Sequence, residues 1–191
     1  MSVFIDVLGS IFAGSLVVLT IISSILNIQQ MNYNLQAFLA LNLAANHFIE
    51  VVDMSYFEPV GLNIERTEPS VLEASRNRFV YQNRRSITTP LVTHAIEMQT
   101  NADNRIFFRV TENGITVFNS SPVFFESVDI FTYYDSNFNE IADPAARLND
   151  VYSVRVDLVF TEAAWSRDPN QRIRYPVTFW RFFKNIYLVR G

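Results

Sequence analysis

The side chains of this sequence that carry chemistry are few. The densest group is Asp135-Ser136-Asn137-Phe138-Asn139-Glu140, with Asp143 just beyond. Oxygen-bearing side chains on alternate loop residues are what Ca²⁺ takes as ligands, so Asp135, Asn137 and Asn139 form the candidate metal loop. The glycine of a helix-loop-helix calcium site is missing and the acidic spacing does not fit, while Asp, Asn and Ser are the ordinary formers of turns between strands. The expectation is a turn and no cofactor, with calcium as the alternative. His47 lies near a helical face otherwise without charge and His94 lies in a strand. Neither shares clustered carboxylates at ligand spacing, so both are read as structural. No Gly-rich phosphate loop, nucleophile elbow or paired-histidine helix occurs, and the chain has no cysteine to serve as thiolate ligand or nucleophile. The reading is no enzyme and no small-molecule substrate.

Asp6 is the one acid in apolar surroundings. After it the next charged residue is Glu50, the first cation is Arg66, and all 15 Lys and Arg lie from there on. Within that charge-free stretch Val7 to Ile28 is 22 residues with nothing more polar than Ser, Thr and one Asn. At ~1.5 Å per residue this is about 33 Å of helix, enough for a hydrocarbon layer of ~30 Å. A segment apolar on every side would need a larger protein to bury it, and a secretory signal would show a basic start, a shorter apolar run and a small-residue cut site. Residues 1–28 are therefore expected to be a transmembrane helix in contact with lipid. Neither flank of the span carries Lys or Arg, so charge leaves its orientation open.

From Gln29 to about Phe57 there is neither Pro nor Gly, and Leu35, Phe38, Leu39, Ala45, Phe48, Ile49 and Val52 recur at helical spacing between polar residues. Residues 29–58 are thus expected to continue the same rod as an amphipathic helix, closed by Pro59 and Gly61. A rod of about 50 residues is roughly 75–80 Å long. Residues 59–191 are expected to be a soluble, β-rich domain packed on it. The period becomes two most cleanly from Val151 to Phe160, where Tyr152, Val154, Val156, Leu158 and Phe160 alternate with Ser153, Arg155 and Asp157. Similar runs are Arg78–Tyr81, Leu91–Met98, Arg105–Val110, Ile115–Phe118, Ser127–Tyr134 and Ile173–Phe183. Asn101 to Asn104 and Glu112-Asn113-Gly114 supply the turn chemistry. The fold class is α+β: a long N-terminal helix, its second half laid on an antiparallel meander of six or seven strands.

Length fits one folded unit plus an anchor, 17 Phe and 8 Tyr furnish its core, and five glycines without a biased run argue against linkers and disorder. A net charge of −4 gives no electrostatic case for nucleic acid. Trp165, Trp180, Phe182, Phe183 and Tyr187 gather toward the C-terminus as core or as interface.

This order of parts resembles the type IV pilin and type II secretion pseudopilin superfamily. Ser75-Arg-Asn-Arg-Phe-Val80, Val128 to Asp135 and Val151 to Leu158 look like successive strands of the minor pseudopilins. The resemblance implies a pilin-like fold, a single-pass membrane protein with its C-terminal domain outside the cytoplasm, in the periplasm or at the cell surface, and copies of itself or related subunits as partners. It implies that Asp6 stands where the family has a buried Glu, which meets the N-terminal amine of a neighbouring subunit during assembly. It also implies calcium in a loop, as in major pseudopilins. One departure is that no Lys or Arg precedes the apolar segment, so the basic prepilin leader is not recognisable. An unpaired carboxylate near lipid costs several kcal/mol, which favours a cationic partner; alternatively Asp6 is an interfacial acid suited to the start of a helix. Ser10 and Gly14 stand at the spacing that lets membrane helices approach closely, with Gly9, Ala13 and Ser15 nearby. Asp6, Ser10 and Gly14 are the candidate assembly residues. Two functions follow: a structural subunit of a pilus- or pseudopilus-like filament or secretion assembly, or a membrane-anchored accessory of a larger complex that binds partners through its β-domain.

Overall fold

The computed structural model describes residues 2–121, 123–166 and 171–190. One helix, α1, runs without interruption from Ser2 to Val52. A single π-helical turn, Asp53–Phe57, then widens it, with Glu58 N–H donating to the Asp53 carbonyl at 2.8 Å. Pro59 can supply no N–H to a further turn, and Gly61 takes the left-handed conformation at φ +71° that reverses the chain. Residues 3–57 are long and apolar enough to cross a membrane, and the most apolar window is wholly uncovered by the rest of the chain.

Among the described residues nine strands follow in one antiparallel sheet: β1 (Val71–Ala74), β2 (Arg78–Asn83), β3 (Val92–Thr100), β4 (Ile106–Glu112), β5 (Ile115–Asn119), β6 (Phe124–Phe125), β7 (Phe131–Tyr134), β8 (Ser153–Ala163) and β9 (Arg172–Phe182). The molecule is therefore α+β. The sheet is not the simple meander expected. β1 to β4 are consecutive neighbours, but the free edge of β4 pairs with β5 over one half and β6 over the other. β8 in turn takes β6 and β7 on one edge and the whole of β9 on the other. The Asn113-Gly114 turn joins β4 to β5 with φ of 49° and 83°, the paired positive angles of a two-residue hairpin. Asn101 Oδ1 accepts from the N–H groups of Asp103 and Arg105 and closes the β3–β4 turn.

Several boundaries shift for local reasons. The run expected from Ser127 is a strand only from Phe131, because Ser127 Oγ accepts the Asp129 N–H in a turn. Val151 closes a 3-10 turn onto Leu148, so β8 starts at Ser153 and extends to Ala163. β9 stops at Phe182; Phe183 turns into the core and a short helix, α2 (Lys184–Arg190), begins.

Helix and sheet share one core. Leu41, Ala45, Phe48 and Val52 form the buried stripe of α1, each large apolar side chain worth roughly 1.5–3 kcal/mol of burial. Phe48 lies beneath the junction of the branching strands, its ring 5.0–5.9 Å from those of Phe108, Phe118, Phe125 and Phe160. The stripe read from spacing is corrected at its N-terminal end. Ala45, Phe48 and Val52 are buried and Ile49 partly so, whereas Leu35, Phe38 and Leu39 are 57, 40 and 58 % exposed. The domain covers that end of the rod only sparsely, Phe38 meeting Tyr175 of β9 edge-on at 5.5 Å.

Candidate assembly face of the long helix

Asp6, Ser10 and Gly14 are spaced four residues apart, and in a continuous helix that spacing sets them on one face. All three are exposed, and beyond the glycine's chain neighbours and the nearby backbone of its own helix no described atom lies within 4 Å of where a Cβ on Gly14 or on Gly9 would sit. No described residue pairs with the Asp6 carboxylate. Four hydroxyls along the apolar half are satisfied from within: Ser10 donates to the Val7 carbonyl at 2.8 Å, Ser15 to Phe12, Thr20 to Leu16 and Ser24 to Thr20. A hydroxyl spent on its own helix carries no unmet hydrogen bond into an apolar medium. What this half exposes is otherwise mainly apolar surface, with one acid, Asp6, near its start.

The second half of the rod is fastened to the sheet at three heights. Nearest the apolar half, Trp165 N–H donates to Asn34 Oδ1 at 3.0 Å and its ring meets Tyr33 edge-on at 5.7 Å. In the middle, Asn42 Nδ2 donates to the Tyr175 hydroxyl at 2.8 Å. At the top, Arg181 reaches Asp53 at 3.2 Å and Glu58 at 3.5 Å. Burial pushes the Asp53 carboxyl above its ordinary value of 3.8, the Arg181 charge only partly opposing it. Of the residues in the three anchors the sequence singled out only Trp165, and none of the pairings, because each joins positions more than 120 apart in the chain.

The loop residues Asp135, Asn137 and Asn139 are brought together, and their geometry is that of a turn. Asp135 Oδ1 accepts the N–H groups of Asn137 and Asn139, both at 2.9 Å, and Oδ2 accepts Asn139 Nδ2 at 3.2 Å. These bonds, led by the Asn139 N–H, hold the Asp135 carboxyl below its ordinary value. They also force Phe138 to φ +63° at the exposed tip. Among the described residues no three His, Asp or Glu side chains converge as metal ligands.

His47 is exposed on α1. His94 is buried: it stacks on Tyr81 at 4.9 Å, shares a 3.0 Å hydrogen bond with Asn83, and points Nδ1 toward Glu112 at 3.6 Å. Of the C-terminal aromatics, Phe183 stacks on Phe79 in the core, while Trp180 lies outside, stacked on Tyr134 at 4.2 Å and bordered by Phe138. Period two places Trp180 and Phe182 on one face of β9 and Phe179 and Arg181 on the other, and only the second pair faces the helix.

Compared with family models, with characterised proteins and with solved structures, the chain has no match.

Proposed function

We propose that this chain is a structural subunit of a pilus- or pseudopilus-like filament or secretion-system assembly, held in a membrane by α1 with its β-domain outside the cytoplasm. The observation that carries the reading is the division of labour along one unbroken helix. From residue 41 on, the stripe Leu41, Ala45, Phe48 and Val52 is the spine of the domain core. Before residue 29, every described side chain is uncovered by its own chain, and one face aligns Asp6, Ser10 and Gly14. Apolar surface of that extent is covered by lipid, by other helices, or by both. An acid among apolar groups gains most from a cation supplied by a neighbour, the role that the pilin resemblance implies for Asp6.

Purifying the native assembly and imaging it by cryo-electron microscopy tests the reading. The expected result is extended fibres with helically repeated subunits and α1 in the filament core, lost in Asp6→Ala while the subunit stays folded and membrane-bound. Discrete membrane particles in place of fibres would overturn it in favour of a fixed accessory of a larger complex.

A further inference from the structure

A bulky side chain on left-handed backbone is strained, and Phe138 sits there at φ +63° with 61 % of its surface exposed. Gly or Asn would fill such a turn position without that strain. The bonds of Asp135 to Asn137 and Asn139 hold the tip in shape, and Phe138 N–H donates to the Asp135 carbonyl at 3.1 Å. The ring is thereby carried out of the turn and set against others. Its centre lies 6.4 Å from that of Trp180 and 6.2 Å from that of Phe182; Trp180 stacks on Tyr134 at 4.2 Å, and Phe182 meets Tyr187 at 5.8 Å. These rings make one continuous surface at the C-terminal ends of β7 and β9, with Trp180 45 % and Tyr187 50 % exposed. Exposed apolar patches rich in Trp, Tyr and Phe and rimmed by polar groups mark interaction sites.

Charge identifies what this surface takes. From Asp135 to Ala146 the chain carries three acids, Asp135, Glu140 and Asp143, and no cation. Glu140 stands opposite Tyr134 in an isolated antiparallel bridge, so the two side chains share a face. Among the described residues neither Glu140 nor Asp143 forms an ion pair. The arginines of the neighbourhood are committed: Arg155, opposite Trp180 in the β8–β9 ladder, to Asp157 at 2.9 Å, and Arg147 to Asp150 at 2.7 Å. Lys184 lines a recess beside Met54 and Glu58, toward the end of the long helix. Aromatic rings bordered by unpaired carboxylates are complementary to Lys and Arg: the ring face attracts the cation, the aliphatic stem lies along the rings, and the carboxylate meets the charged head.

We propose that this surface docks a basic segment of a partner protein, its Lys or Arg side chains lying over Phe138 and Trp180 and meeting Glu140 and Asp143. The turn built by Asp135, which the sequence offers as a metal loop, serves to present Phe138. The proposal is independent of whether α1 spans a bilayer.

Trp165→Phe leaves Trp180 as the only tryptophan of the full chain, a reporter inside the surface itself. The variant, in non-ionic detergent, is titrated with short synthetic peptides in which Lys, Arg, Glu or Ser alternates with Ala, all at equal ionic strength. The Lys and Arg peptides are expected to shift Trp180 emission saturably and the Glu and Ser peptides to leave it unchanged, with the affinity falling as salt is added. Phe138→Ala, and separately Glu140→Gln/Asp143→Asn, should each weaken binding about two- to fivefold, the scale of exposed cation–π and ion-pair contacts. Phe138→Gly separates binding from folding. It relieves the turn while removing the ring, so it should melt no lower than wild type and still lose affinity. Calorimetry of the unsubstituted chain with the same peptides checks the affinities without the Trp165 change. No saturable shift with the cationic peptides up to about 1 mM overturns the proposal, as does an equal response to the Glu peptides. Self-association of the chain that Phe138→Gly abolishes, seen by sedimentation, also overturns it, since the surface would then take a second copy.

Discussion

At the scale of single residues, Phe48 and His94 carry opposite lessons. Phe48 touches four aromatic rings from four strands, so Phe48→Ala leaves a cavity that the rigid sheet junction closes poorly. Denaturant unfolding of the full chain in detergent should show a loss of ~3–5 kcal/mol. His94 tests pH. Burial holds it below its ordinary value of 6.5, outweighing the Glu112 carboxylate that favours the proton, while Arg85 adds to the depression. The unfolded chain then takes up this proton more readily than the native one, so the contribution is present above pH 6.5 and lost as the pH falls. The denaturant midpoint of the wild type should fall more steeply below pH 6.5 than that of His94→Gln; parallel profiles would contradict this. Phe48 was legible because it recurs at helical spacing with Ala45 and Val52. His94 was read as structural, but its partners were hidden, since Asn83 and Glu112 come from the two strands flanking β3 and only their register brings them near. Asp135, Asn137 and Asn139 lay close in sequence, which made a turn readable without the hydrogen bonds that build it.

Elements were legible in proportion to their length and to the clarity of their period. β8 alternates cleanly because one face meets the helix and the other faces out, and α1 announced itself by its missing charges. β1 and β6 escaped: the four residues Val71-Leu-Glu-Ala74 show no alternation, and two residues, Phe124 and Phe125, have no period at all. The apolar stripe misled over Leu35 and Leu39 because periodicity marks an amphipathic face without saying how far its cover extends. The reversal after α1 is an element-scale device with a single weak point. A Cβ on Gly61 would lie 2.7 Å from Ile186 Cγ1 and 3.3 Å from the Ile186 nitrogen, with the backbone already left-handed. Gly61→Ala should therefore unseat α2 and cost at least about 2 kcal/mol, strain and crowding together. A thermal midpoint unchanged from wild type would show that α2 docks independently of this turn.

For the whole molecule, the core cluster draws its helical members only from Leu41 onward, so the half of the rod that folds the domain is distinct from the half proposed to anchor it. A fragment lacking residues 2–28 should fold, with a circular dichroism melt close to that of the full chain in detergent, because it keeps every buried residue of α1 and the Trp165–Asn34 anchor. A melt lowered by many degrees would mean that the apolar half supports the domain. The continuity of α1 has one more consequence. With no proline from residue 2 to 57 and no glycine between Gly14 and residue 57, it has no joint between its apolar half and the sheet. From Ile28 to Phe57 it is a lever of about 43 Å, whose far end swings ~0.75 Å for each degree of tilt. Bilayers differing by a few ångströms in thickness tilt a span differently, so a 10° change, well within the usual spread, moves the top of the domain by about 7 Å. Under the proposed span the β-domain is in this sense a pointer, and the thickness of the membrane sets its reading.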